Sequence, residues 1–91
     1  MESILHKSIR ITGRVQGVGF RYSARGVAHG MGIKGFIRNL SGGDVYIEAE
    51  GTLDQLEEFI EWCHDGPVRA VIQNVDVYDG EVLGFTAFEI R

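Results

Sequence analysis

Cysteine is nearly absent from this chain: Cys63 stands alone among 91 residues. A single thiol excludes an internal disulfide and a cysteine-based metal site. Positive charge is also scarce. Nine Lys and Arg against thirteen Asp and Glu leave a formal net charge of −4. The basic residues are scattered, so a nucleic-acid duplex or an anionic membrane surface finds little to hold. No apolar run approaches the length that spans a bilayer, and Met1-Glu2-Ser3 opens without the pattern of a signal peptide. A cytoplasmic location is therefore expected, with no membrane and no nucleic acid among the partners. Repeats, linkers and low-complexity segments are missing too, so residues 1–91 are expected to form one small domain with a limited core.

What remains is ordinary for a globular protein, with 44% apolar and 24% charged residues. Residues 1–7 show no pattern and are expected to be a frayed lead-in. From Ser8 to Val15, apolar Ile9, Ile11 and Val15 alternate with polar Arg10, Thr12 and Arg14, as in a half-buried strand. Ala24, Val27, Ala28 and Met31 then fall at helical spacing, and Gly32 is placed to stop that helix. Gly26 and Gly30 weaken it by about 1 kcal/mol each relative to Ala, which suggests small residues that let the helix lie close to a sheet. A second strand covers Ile33 to Asn39, and Leu40-Ser41-Gly42-Gly43 connects it as a hairpin to a third, Asp44 to Glu50. Thr52 with Gln55 forms a capping box ahead of a second helix, whose buried face is Leu53, Leu56, Phe59, Ile60 and Cys63. Gly66-Pro67 ends it. A fourth strand is expected over Val68 to Tyr78 with Val71, Val75 and Val77 on one face. Asp79-Gly80 then turns the chain toward a short final strand in Phe85 to Ile90.

Strand, helix, strand, strand, helix, strand is the ferredoxin-like βαββαβ pattern of the α+β class: an antiparallel sheet with two helices on one face. Right-handed crossovers and a tight hairpin favour the strand order 4-1-3-2, plus the short C-terminal strand. The first and second strands then run parallel with the third between them, so their C-terminal ends reach one rim, roughly 10 Å apart. Asn39 closes the second strand on that rim.

The segment leaving the first strand at the same rim is Gly13-Arg14-Val15-Gln16-Gly17-Val18-Gly19-Phe20-Arg21. A strand that passes through a glycine-rich loop into a helix aims backbone N–H groups and the positive end of the helix dipole at one spot. Arg21 adds a permanent charge whose planar fork of donors suits phosphate oxygens. The combination reads as an anion cradle, although glycines alone serve equally well to shape a tight connection. It is not a P-loop, which needs Lys followed by Ser or Thr after its second glycine. It is not a dinucleotide fingerprint either, because Tyr22 stands where a third glycine is required.

With Gly35-Phe36-Ile37-Arg38-Asn39 following, the pair of motifs becomes specific. The loop through Arg21, and Asn39 eighteen residues later, resemble the acylphosphatase family. The similarity runs over nearly the whole chain and includes Trp62, Gly66-Pro67, Ala70 and the stretch Phe85 to Ile90. The family usually carries an acidic or amide residue where Gly42 stands here, ahead of Gly43. The resemblance implies hydrolysis of acyl phosphates to a carboxylate and inorganic phosphate. It implies that Val15, Gln16, Gly17, Val18, Gly19, Phe20 and Arg21 bind the phosphate. In that pattern Arg21 anchors the phosphate and Asn39 positions the attacking water. No cofactor and no metal are implied; the partner is a small acyl phosphate, with phosphate or sulfate as ligand, and the expected state is a monomer.

The residues fit that chemistry. An acyl phosphate releases a carboxylate, whose conjugate acid has a pKa of about 4 to 5, so it departs without a general acid. Neither motif offers His, Asp or Glu, and what they supply is charge stabilisation and water placement. Arg38, on the opposite strand face from Asn39, reads as a solvated charge. His6, His29 and His64 lack paired spacing and read as surface or capping residues, and Cys63 as a packed thiol. A non-catalytic ferredoxin-like module that binds phosphate or another small ligand is the alternative, which fold alone does not exclude.

Overall fold

The computed structural model describes residues 2–91. The elements follow as β1 (Leu5–Arg14), α1 (Phe20–Met31), β2 (Lys34–Asn39), β3 (Val45–Gly51), α2 (Leu53–Asp65), β4 (Val71–Gly80) and β5 (Phe88–Ile90). The sheet order is β4-β1-β3-β2-β5. β1 lies between β4 and β3, with Ile9 opposite Ile47 of β3 on one side and Val77 of β4 on the other. On β3 the alternation sends Val45, Ile47 and Ala49 into the core with Ile9, Ile11, Ile37, Ala24, Ala28, Leu56 and Phe59. Both helices cover that face.

Several expectations change at the ends of elements. The sheet is mixed rather than wholly antiparallel, because β5 pairs with β2 in parallel, Phe88 opposite Gly35 and Ile90 opposite Ile37. β1 begins at Leu5, so its start is no frayed lead-in: Leu5 and His6 pair with Gly51 and Glu50. His6 is buried, not a surface residue, and its Nδ1 lies 2.7 Å from a carboxylate oxygen of Glu50. Asp79 and Gly80 do not turn the chain but extend β4, opposite Lys7 and His6. A bulge at the Thr12/Gly13 step shifts the register of β4. Ile72 and Val75 therefore pack on the core, while Val71 is left exposed. Leu53, the first residue of α2, is exposed as well. The capping box of Thr52 and Gln55 is present. Gly26 and Gly30 lie on the outer side of α1, where an added Cβ would meet nothing within 4 Å, so they do not bring the helix closer to the sheet.

The strap of residues 81–87 carries the chain from the β4 edge to the β5 edge, on the side of the sheet that lacks helices. Alternation on β3 puts Glu50 on that side, where its carboxylate accepts from the backbone N–H groups of Leu83 (2.6 Å), Gly84 (3.0 Å) and Phe85 (3.0 Å). Phe85 stacks on His6, with centroids 6.0 Å apart, and meets Phe36 edge-on. Burial alone raises the pKa of Glu50, but the Leu83 amide, His6 and the Phe85 and Gly84 amides outweigh it and hold the carboxyl below its ordinary value.

Candidate active site

The site begins where β1 ends. Val15 is buried and fixes the exit of the strand, and Phe20 is buried at the start of α1 against Trp62, ring centroids 5.3 Å apart. Between these two anchors the loop turns through Gly17 (φ 74°) and Gly19 (φ 77°), both in the left-handed region that a side chain disfavours. Gly19 is the N-cap of α1 and offers no side-chain acceptor, and the first turn holds no acidic residue. The helical ladder starts only with Ser23 N–H donating to Gly19 O at 3.1 Å. The preceding amides and the positive helix end are thus left to a ligand.

A pocket of about 220 Å³ lies over this helix end. It is lined by Val15, Gln16, Gly17, Gly19, Phe20, Arg21 and Asn39, all expected site residues, and by Tyr22. Val18 is the exception among the expected set: its side chain packs against the core. Gln16 enters differently than a phosphate ligand would. Its side-chain amide donates to Leu40 O at 2.8 Å and Asp44 O at 2.9 Å, which ties the glycine loop to the β2–β3 connection. The Asp44 carboxylate at that corner accepts from Arg10 Nε at 2.7 Å, so its charge is matched locally. Arg21 takes part in none of the ion pairs found among the described residues.

Asn39 arrives from β2, in register with Val45 on the core side of the sheet. Its Oδ1 is buried and has no hydrogen-bond partner among the described residues. A buried amide oxygen left without a donor costs free energy unless something fills the place, and the pocket it lines is polar enough to hold a water. The lining contains no His, Asp or Glu, so it can neutralise charge and orient a water but supplies no carboxyl or imidazole for proton transfer. Cys63 is fully buried and burial pushes its thiol pKa up, which makes it an inert core group. No helix among the described residues is long and apolar enough to cross a membrane.

Tyr22 escaped the reading of the sequence, where it served only to exclude a dinucleotide motif. Its position directly after Arg21, at the opening of a helix, was the available signal. The carbonyls of Leu40 and Asp44 left no signal, because backbone acceptors are invisible in residue types.

The chain as a whole is similar to known proteins. A family model described as Acylphosphatase matches residues 7–90. The acylphosphatase of Trichormus variabilis is 44% identical over 88 residues, covering 97% of this chain and 87% of the relative. The structure of an acylphosphatase from Coxiella burnetii superposes with a TM-score of 0.94 at 34% identity, covering 97% of this chain and 93% of that one. A full-length HypF, in a phosphate- and nucleotide-bound form, gives a TM-score of 0.93 at 36% identity; the match covers all of this chain (100%) and 12% of HypF.

Proposed function

The chain belongs to the acylphosphatase family and hydrolyses acyl phosphates, and from that premise we propose the division of labour among its residues. The loop amides from Val15 to Phe20 and the guanidinium of Arg21 hold the phosphoryl oxygens. Asn39 Oδ1 accepts a hydrogen bond from the attacking water. The water oxygen forms a bond to phosphorus as the bond from phosphorus to the acyl oxygen breaks. The electron pair leaves with the carboxylate, and a phosphate oxygen of the substrate takes the water's proton. No step draws on a metal ion. The observation that carries this reading is the buried Asn39 Oδ1, without a hydrogen-bond partner among the described residues, in the same pocket as Arg21 and the open N-terminus of α1.

The proposal extends to inorganic phosphate or sulfate as ligands of the pocket, and to residues 1–91 working as one domain, as a monomer, in the cytoplasm. The family relationship favours an enzyme over a non-catalytic phosphate-binding module.

The test compares Arg21→Gln with Asn39→Ala by steady-state kinetics on benzoyl phosphate in the presence of a chelator, and by phosphate titration, with folding checked by circular dichroism. Arg21 meets the phosphate in ground and transition states, so Arg21→Gln loses phosphate affinity along with turnover. Asn39→Ala loses turnover by roughly a hundred- to a thousandfold, as for one preorganised polar contact, while phosphate affinity stays near wild type. Full turnover in Asn39→Ala, or equal loss of phosphate binding in both variants, refutes the assignment.

A further inference from the structure

An acyl phosphate has two halves, and the proposed machinery addresses only one. The pocket, about 220 Å³, is below the roughly 300 Å³ at which sites begin to bury a whole drug-sized ligand. With phosphate seated over the amides, the acyl group must lie at the mouth. The side chains available there are few. Val15 and Phe20 are taken up by the core, at 1% and 2% exposure; the glycines offer none, and the Gln16 amide is tied to the hairpin. Arg21 and Asn39 are polar. The one apolar surface left on the pocket wall is Tyr22, 67% exposed and adjacent to Arg21 in the first turn of α1.

The ring is also held. The guanidinium of Arg25, less than a turn further along α1, stands over it at 5.4 Å from the centroid, within the range of a cation–π contact. A ring engaged on one face by its own helix keeps the other available for a flat apolar group, in offset or edge-on contact. We propose that Tyr22 is a specificity-determining residue: its ring receives the acyl group, and the enzyme favours aromatic or bulky apolar acyl phosphates over small ones. This rests on the reading of the pocket given above.

Benzoyl phosphate and acetyl phosphate share the reacting bond and differ in what they offer the ring. The measurement is the ratio of kcat/KM for benzoyl over acetyl phosphate in wild type, Tyr22→Ala and Tyr22→Phe. Aromatic contacts of this kind correspond to about a threefold to tenfold effect on binding. Tyr22→Ala is expected to lower the ratio by that factor, through KM for benzoyl phosphate, and Tyr22→Phe to keep it. A ratio in Tyr22→Ala that stays within threefold of wild type overturns the inference, whether both substrates suffer equally or neither does. So does a Tyr22→Phe variant that loses the ratio as badly as Tyr22→Ala. A wild-type protein that turns over neither substrate overturns the underlying reading instead, and the inference with it.

Discussion

Gln16 shows how one side chain can matter to a site without facing its ligand. Both hydrogens of its amide are spent on Leu40 O and Asp44 O, so it couples the loop that carries Arg21 to the hairpin that follows Asn39. Gln16→Ala removes both bonds, while Leu40 O keeps the Gly43 N–H and Asp44 O keeps the Leu40 N–H as donors. We expect a loss of roughly 1 to 3 kcal/mol in stability by urea denaturation. Turnover should fall further than phosphate affinity, because the position of Asn39 relative to the loop is set by the tie. Unchanged kinetics in a folded Gln16→Ala would show that the two motifs hold their spacing without it. The type of residue at position 16 was legible as part of a motif. Its partners were not, since no pattern of side chains encodes a bond to a carbonyl twenty-four residues away.

At the scale of elements, the strap of residues 81–87 is held by a charge where hydrophobic contacts would be expected. Glu50 lies at the end of β3 remote from the pocket, five residues and roughly 17 Å along the strand from Val45. Its protonation should therefore affect stability and leave the chemistry alone. The folded carboxyl titrates below its ordinary value of 4.5, so its stabilising effect is present above about pH 4.5 and is lost as pH falls through the lower folded value. His6 faces Glu50 through Nδ1 and Glu48 through Nε2. Hydrogen exchange at the amides of Leu83, Gly84 and Phe85 reports the pin directly. Protection at these three should collapse in acid before the core of β1 opens, and Glu50→Gln should loosen them already at pH 7. Protection unchanged in that variant would mean the strap is held by Phe85 alone. The sequence hid this device because periodicity counts apolar residues, and here a buried acid meets a buried imidazole. The burial of His6 and the start of β1 at Leu5 have one cause, the pairing of Leu5 and His6 with Gly51 and Glu50.

At the scale of the molecule, the order β4-β1-β3-β2 and the placement of Asn39 beside the glycine loop followed from alternation, crossover handedness and one tight hairpin. β5 was visible only as a short strand, because three residues carry too little pattern to fix a direction. The same topology governs how the protein comes into being. Of the antiparallel pairings, only β2 with β3 is local; His6 at the start of β1 pairs with Gly80, most of a chain length away. β1 must close long loops on both sides before its contacts repay the entropy, which places folding in the slow range of milliseconds to seconds. The pocket joins the end of β1 to the end of β2, two strands that touch only through β3, so it should be complete only after the rate-limiting barrier. A ligand of such a site leaves the folding rate alone and slows escape from the native state. In stopped-flow experiments in urea, phosphate at about 100 times its Kd should leave the refolding rate unchanged and slow unfolding roughly a hundredfold. Faster refolding with unfolding unaltered would mean that the cradle forms early, ahead of the strand that organises it.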